Sequence, residues 1–204
     1  MKGEQLVTLS LLLFAFPLAF SGEVLDAFGK PVLASGKYYI LPALSGLRSG
    51  GGLSPVERDE TYKCPVVVFQ DLSRVKRGMP LKFSVLGKSD GIVYEGSQLE
   101  ISFVDKPGCA TSSNLVGVGD DFPLKWIGIG SAKDHPGKKV FNGYFKLEKQ
   151  YKGYQLLFCP ANVITCFNVA RTQDQLGYRL VLTNGRYAVT PVPFQLYYVT
   201  FLPA

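Results

Sequence analysis

Cysteine is the residue type in this sequence whose chemistry is easiest to foresee. The chain has four cysteines, Cys64, Cys109, Cys159 and Cys166. In an oxidising compartment such thiols pair as disulfides, and four cysteines allow three pairings, among which their spacing does not choose. A zinc site is the alternative, but there is no CxxC motif and the single histidine, His135, is far from every cysteine in sequence. We therefore expect two disulfides and no metal site.

The residues from which a catalytic site could be built are few. His135 falls in the turn-like segment KDHPGK, where we expect a solvated side chain. Ser131 is preceded by glycine but does not stand in the G-x-S-x-G order of a nucleophile elbow, so we expect a loop there. Asp120 and Asp121 are adjacent, and adjacent side chains on an extended chain face opposite ways. The glycines at 50–52 lack the Lys and Ser/Thr of a phosphate-binding loop and predict a flexible connection. We predict neither an enzyme nor a cofactor.

The N-terminal segment has the features of a secretory leader. Residues 1–21 contain the apolar run LVTLSLLLFAFPLAF, which is shorter than the ~20 residues that a membrane-spanning helix needs. The segment ends in AFS, with small residues at the positions that signal peptidase reads. We expect its removal to leave one domain, 22–204, secreted or delivered to the vacuole.

The charge of the chain points to a solvated basic surface. The formal net charge is +6, but its lysines and arginines are scattered and form no basic block. We therefore expect no nucleic-acid partner. We also expect a monomer, with no membrane partner after the leader is removed.

Short apolar or alternating runs dominate the rest of the chain. KYYIL, PVVVF, LKFSVL, LEISFV, YQLLF and YRLVL are examples. Their starts lie about 8 to 14 residues apart with Gly, Pro, Asn and Asp between them, a pattern typical of an all-β sandwich or barrel. Asn142-Gly143 and Asn184-Gly185 lie between such runs and predict two-residue hairpin turns. Because no window after the leader keeps helical spacing, we expect little helix.

Several segments together resemble the plant Kunitz-type (soybean trypsin inhibitor type) family. VLDAFGKPVLASGKYYIL, at 24–41, is similar to that family's N-terminal signature, V-L-D-x-x-G followed by Y-Y-(V/I)-L. GGGL, KCPVVVFQ, RGMPLKF, FKLEK, YKGYQLLFCP and YRLVLTNG then follow in the family's order. The resemblance covers essentially the whole chain after the leader. It implies a β-trefoil of twelve strands with pseudo-three-fold symmetry, and the disulfide pairs Cys64–Cys109 and Cys159–Cys166.

The resemblance also implies where such a protein would act. In that family one exposed loop enters the cleft of a serine protease as a substrate would, and a rigid loop loses little entropy on binding. Aligned through RGMPLKF and YEGSQLEISF, the reactive loop here comprises Gly87, Lys88, Ser89 and Asp90. Lys88 would fill the specificity pocket and would suit a trypsin-like endopeptidase, and Ser89 is the alternative pocket residue.

Two features of the aligned segments predict a weaker inhibitor than the family's strong ones. Gly87 and Gly91 should reduce the stiffness of the loop. Ala34 stands where strong inhibitors carry an asparagine that braces the loop, and alanine cannot supply those side-chain hydrogen bonds. The alternatives that the resemblance leaves open are an inhibitor of cysteine or aspartic proteases acting through 163–168 or 133–139, and a non-inhibitory miraculin-like binding or storage protein.

Overall fold

The structure is a computed structural model, and it describes residues 22–43, 50–57, 64–87, 89–119, 125–173, 175–184, 194–196 and 198–204. These residues form fourteen β-strands and one 3₁₀ turn, Ala132–Asp134, so the prediction of an all-β chain is confirmed. They contain no helix of the length and apolar character needed to cross a membrane. The strands are β1 (Tyr38–Pro42), β2 (Leu53–Val56), β3 (Val67–Gln70), β4 (Leu81–Val85), β5 (Leu99–Phe103), β6 (Leu115–Gly119), β7 (Lys125–Ile129), β8 (Lys139–Phe141), β9 (Gly143–Lys149), β10 (Tyr154–Pro160), β11 (Phe167–Gln173), β12 (Tyr178–Thr183), β13 (Phe194–Leu196) and β14 (Tyr198–Pro203).

Six of these strands close a barrel. β14 pairs with β1, β1 with β4, β4 with β5, β5 with β9, β9 with β10, and β10 returns to β14, always antiparallel. Alternate side chains point inward because a strand has a period of two, and Phe83, Phe145, Phe158 and Phe201 are buried in the core. The rings of Phe83 and Phe201 meet edge to face with centroids 5.3 Å apart, a favourable aromatic arrangement.

Three hairpins cap one end of the barrel. The hairpins are β2–β3, β6–β7 and β11–β12, and β3, β7 and β12 pair with one another in a triangle. A six-stranded barrel capped by three hairpins is a β-trefoil, so the predicted fold is confirmed. β8 pairs with β6 before β9 joins β10, and β13 pairs with β11 before β14 joins β1. Counting β8 and β9 as one bent strand, and β13 and β14 as another, gives twelve strands among the described residues.

Both disulfides implied by the resemblance are present. Cys64–Cys109 joins the start of the segment leading into β3 to the connection between β5 and β6, across a sequence separation of 45. Cys159–Cys166 closes the connection between β10 and β11, across a separation of seven. The tertiary structure thus resolves the pairing that the spacing of the cysteines left open.

Two buried tyrosine hydroxyls fasten the N-terminal segment to the barrel. The Leu25 N–H donates to Tyr154 Oη at 2.8 Å, and the Leu33 N–H donates to Tyr38 Oη at 2.9 Å. Val32, between these attachments, is fully buried in the core. The segment is therefore a fixed part of the fold, and this matters because it contacts the predicted reactive loop.

The glycines at 50–52 are packed, and the prediction of a flexible connection is wrong. All three are buried. The Gly52 N–H donates to Lys76 O at 2.9 Å, and the Asp71 N–H donates to Gly52 O at 3.0 Å. A Cβ on Gly52 would lie 1.7 Å from Arg77 O. Glycine is required here because the backbone of a second segment passes directly against it.

The two-residue turn predicted at Asn142-Gly143 is also wrong. Gly143 is the first residue of β9 and does not have the positive φ that such a turn requires. It is glycine because a Cβ there would lie 2.3 Å from Cys159 O on the neighbouring strand. Gly185 of the second predicted turn, and the pair Asp120 and Asp121, lie outside the described residues.

Candidate protease-binding loop

The predicted reactive loop lies at the uncapped end of the barrel. β4 leads away from the capping hairpin β2–β3, and β5 runs back toward the hairpin β6–β7, so the loop that joins β4 to β5 is at the opposite end. Gly87, Ser89 and Asp90 are exposed to solvent. Lys88 lies outside the described residues. The structure thus brings the described members of the predicted site together on one exposed loop.

Side chains of the loop form hydrogen bonds with the backbone of the same loop. Ser89 Oγ accepts the Gly91 N–H at 3.0 Å, and Asp90 Oδ1 accepts the Ile92 N–H at 3.0 Å. Bonds of this kind, from a side chain to an N–H two residues on, stabilise a turn without any further partner. Tyr94 adds a third bond by donating its hydroxyl to Asp90 Oδ2 at 2.8 Å. The part of the loop that follows position 88 therefore has a defined conformation.

The N-terminal segment braces the loop from the other side. The Ala34 N–H donates to Gly91 O at 2.8 Å, and the Val93 N–H donates to Val32 O at 2.9 Å. The sequence argument considered only the side chain at position 34, and alanine indeed has none to offer. The main chain nevertheless supplies a brace that every residue except proline would keep. The predicted loss of bracing is therefore only partial.

Gly87 and Gly91 set the shape of the loop. Their φ angles are 93° and 88°, in the region that residues with a Cβ rarely adopt. A Cβ on either glycine would meet no atom within 4 Å, so the requirement is one of backbone conformation and not of space. Each therefore occupies a conformation that only glycine adopts without strain, and the expectation that the two glycines reduce the stiffness of the loop stays a prediction.

The bond between Asp90 and Tyr94 shifts the ionisation of both groups. The N–H of Ile92, and then the hydroxyl of Tyr94, hold the pKa of the Asp90 carboxyl below its ordinary value of 3.8. The same hydrogen bond to Asp90 raises the pKa of Tyr94 above its ordinary value of 10.0. Tyr94 is a loop residue that the sequence did not predict. No signal marks it, because its role follows only from where the hydroxyl lies.

We expect this hydrogen bond to make its full contribution to the stability of the folded protein between about pH 4 and about pH 10. Because the pKa of Asp90 is lowered, the contribution is fully present above pH 3.8 and is lost as the pH falls through the lower folded pKa. Because the pKa of Tyr94 is raised, the contribution is fully present below pH 10.0 and is lost as the pH rises through the higher folded pKa. In Tyr94→Phe the pKa of Asp90 should rise part of the way toward 3.8, since the Ile92 N–H remains. A carbon NMR titration of the Asp90 carboxyl in both proteins measures this, and identical titration curves would contradict it.

A shallow groove of about 440 Å³ runs beside the loop. Of the described residues that line it, only Asp90 is charged. Across the described part of the chain no cluster of His, Cys, Asp or Glu side chains could hold a metal ion. The lining residues are Val85, Ser89, Asp90, Ile92, Tyr94 and Ser97.

His135 is fully buried, and the prediction of a solvated side chain is wrong. Its Nε2 lies 2.8 Å from Ile129 O, and burial lowers the pKa of His135 below 6.5. Asp134 beside it accepts the Ser131 N–H at 2.7 Å and the Thr111 N–H at 3.1 Å. Histidine, serine and aspartate are thus close together, but the imidazole Nε2 is directed at a backbone carbonyl. The cluster fastens the 3₁₀ turn to the connection between β5 and β6 and does not form a nucleophilic triad.

The family of this chain follows from its match to a known family model. The legume Kunitz family model, described as trypsin and protease inhibitor, matches residues 24–195, which is most of the chain. The chain belongs to this family. The resemblance seen in the N-terminal signature and the segments after it is thereby confirmed.

Similar proteins from legumes cover nearly the whole of this Kunitz chain. A Kunitz-type trypsin inhibitor-like 2 protein of Pisum sativum is 44% identical over 196 residues, which are 90% of this chain and 89% of that protein. A subtilisin inhibitor of Canavalia lineata is 37% identical over 181 residues, which are 86% and 90% of the two chains. The crystal structure of a Kunitz type trypsin inhibitor from Cicer arietinum is similar with a TM-score of 0.80 and 37% identity, covering 90% of this chain and 99% of that one.

Proposed function

We propose that this protein inhibits a trypsin-like serine endopeptidase by presenting the Lys88-Ser89 bond to its active site. The observation that carries the proposal is the bracing of the exposed loop, in which Ser89 and Asp90 bind the backbone and Ala34 holds Gly91. A loop that is already ordered loses little conformational entropy on binding, which favours tight association. Membership of a family of protease inhibitors supports the same function.

The hydrogen bonds on both sides of position 88 explain how the loop would stay bound to the protease after cleavage. Before it, the Leu86 N–H donates to Gln98 O at 2.9 Å and extends the ladder between β4 and β5. After it, Gly91 is held by Ala34. Cleavage between Lys88 and Ser89 would leave both new chain ends attached to the fold. The ends would stay in the cleft, and the protein would act as an inhibitor and not as a consumed substrate.

The proposal includes passage through the secretory pathway, with removal of a leader near residue 21, and action as a monomer without enzymatic activity of its own. The two disulfides support this location, because such bonds form and persist in oxidising compartments.

Lys88→Ala should weaken inhibition of trypsin by about 30-fold to 4,000-fold, because a desolvated charge pair is worth ~2 to 5 kcal/mol. Lys88→Arg keeps the charge and should stay within about tenfold of the original protein. Lys82→Ala removes an exposed lysine of β4 outside the loop and should change nothing. The measurement is the inhibition constant of each oxidised protein lacking residues 1–21.

Chymotrypsin and papain are measured in parallel with trypsin. If trypsin is unaffected by the original protein and by the variant, the Lys88 mechanism is wrong. If Ser89→Ala abolishes inhibition while Lys88→Ala does not, Lys88 is not the pocket residue, and Ser89 is needed either as the pocket residue or for its bond to the Gly91 N–H. Inhibition of papain alone would move the site to another surface, and no inhibition of any of the three would favour a miraculin-like binding or storage protein.

A further inference from the structure

Tyr94 is held in place through the main chain on both sides of it. The Val24 N–H donates to Val93 O at 2.9 Å, just before Tyr94. The Glu95 N–H donates to Gly22 O at 2.8 Å, just after it. Both bonds join the segment that follows the reactive loop to the N-terminal segment. The phenol therefore projects from backbone that belongs to the fixed part of the fold.

The Tyr94 hydroxyl reaches back four residues to a side chain of the predicted reactive loop. It donates to Asp90 Oδ2 at 2.8 Å, while Asp90 Oδ1 accepts the Ile92 N–H at 3.0 Å. The two oxygens of one carboxylate thus bind two different partners. A hydrogen bond to an ionised oxygen is roughly twice as strong as one between neutral groups. Asp90 is therefore held by a residue outside its own turn as well as by the turn itself.

This bond matters because of what else holds residues 89 and 90. Ser89 Oγ accepts the Gly91 N–H at 3.0 Å, which is a bond within the loop. The next contact with the N-terminal segment is at Gly91, whose carbonyl accepts the Ala34 N–H. Among the hydrogen bonds of the described residues, the one from Tyr94 alone ties residues 89 and 90 to a residue beyond position 92. Its loss would leave the start of this segment held only by bonds that move with it.

We propose that Tyr94 is a positioning residue of the inhibitory loop, and that by holding Asp90 it keeps the amino group of Ser89 in the protease cleft after cleavage. The proposal rests on the proposed function, in which Lys88-Ser89 is the bond presented. In a serine protease the serine oxygen forms an ester with the Lys88 carbonyl carbon, the bond from that carbon to the Ser89 nitrogen breaks, and the nitrogen takes up the proton of the serine hydroxyl.

The fate of this ester decides between inhibitor and substrate. If the Ser89 nitrogen attacks it, the peptide bond re-forms and the proton returns to the serine oxygen. If the amine has moved away, water attacks instead, which leaves a Lys88 carboxylate and a free protease. Holding the amine next to the ester favours the first outcome, because the step is then effectively intramolecular.

The first test of this role needs no protease. Tyr94→Phe removes only the hydroxyl, and the exchange rate of the Ile92 amide hydrogen, followed by NMR, should rise about three- to tenfold, since the carboxylate that accepts it is less firmly held. Tyr151→Phe is the same change at a tyrosine that is 97% exposed, and it should leave this rate unchanged. Circular dichroism checks that both variants fold.

The second test follows the complex with trypsin. Each oxidised protein is mixed in slight excess with trypsin, and the recovery of trypsin activity is measured together with cleavage at Lys88-Ser89. Tyr94→Phe should speed recovery by about five- to tenfold through the loss of one hydrogen bond, and Tyr151→Phe should match the original protein. In an Asp90→Ala background Tyr94→Phe should change recovery by less than about twofold, because no carboxylate is left for the hydroxyl to hold.

Three results would overturn the proposal. They are an unchanged exchange rate at Ile92 in Tyr94→Phe, equal recovery of trypsin from that variant and the original protein, and an undiminished effect of Tyr94→Phe in the Asp90→Ala background. The last result would show that Tyr94 acts by another route than the carboxylate. Failure of the proposed function is distinguishable, because the original protein would then not inhibit trypsin at all, or Lys88→Ala would inhibit equally well. The inhibitory role of Tyr94 would fail with it, and the exchange rate would still decide whether Tyr94 holds Asp90.

Discussion

Gly52→Ala should lower the free energy of unfolding by about 3 to 5 kcal/mol, because the new methyl group collides with backbone atoms and displaces two hydrogen bonds. The Cβ would lie 1.7 Å from Arg77 O and 2.4 Å from Arg77 C, and neither atom can move without the chain that carries it. The bonds at risk are those from Gly52 N–H to Lys76 O and from Asp71 N–H to Gly52 O. Urea unfolding of the oxidised protein measures the change.

Gly108→Ala is the matched control for this prediction. Gly108 also has no positive φ, and a Cβ there would meet no atom within 4 Å. Its replacement should be neutral or should stabilise the protein by about 0.4 to 1 kcal/mol, because alanine reduces the freedom of the unfolded chain. Equal stability of the two variants would refute the packed state of the glycines at 50–52.

Replacing both cysteines of the Cys64–Cys109 disulfide by alanine should cost ~4 kcal/mol, against ~2 kcal/mol for the Cys159–Cys166 pair, on the loop-entropy model. The difference follows from the sequence separations of 45 and seven, since a longer closed loop removes more freedom from the unfolded chain. Thermal unfolding of the two double variants beside the original protein measures the order. A larger loss from the short loop would contradict the prediction and would indicate that native contacts of that loop dominate.

Much of the β-structure could be predicted from local sequence. KYYIL, LKFSVL and YQLLF match β1, β4 and β10, whose inward side chains recur at every second residue. β2 and β11 were not predicted. β2 is short and contains Pro55, and β11 ends in the three polar residues Arg171, Thr172 and Gln173, so neither has a strong apolar pattern. Both strands exist because they pair within the capping hairpins, which is a tertiary effect.

The errors concern residues whose environment is made by distant parts of the chain. His135 stands beside Pro136 and Gly137, which indicate a turn, yet its ring is buried against Ile129 O. Gly52 lies in a run of three glycines, which suggests flexibility, but residues 71–77 pack against it. In each case neighbouring residues suggest exposure or mobility, and long-range contacts decide otherwise.

The sequence by itself determined the all-β class and the presence of two disulfides, and it predicts where along the chain the reactive loop lies. Strand period and the chemistry of cysteine are local properties, and family motifs are read residue by residue. Only the tertiary structure decided how the barrel closes and that the main chain of Ala34 braces Gly91. Burial and main-chain hydrogen bonds depend on which distant segments meet, and local patterns do not encode that meeting.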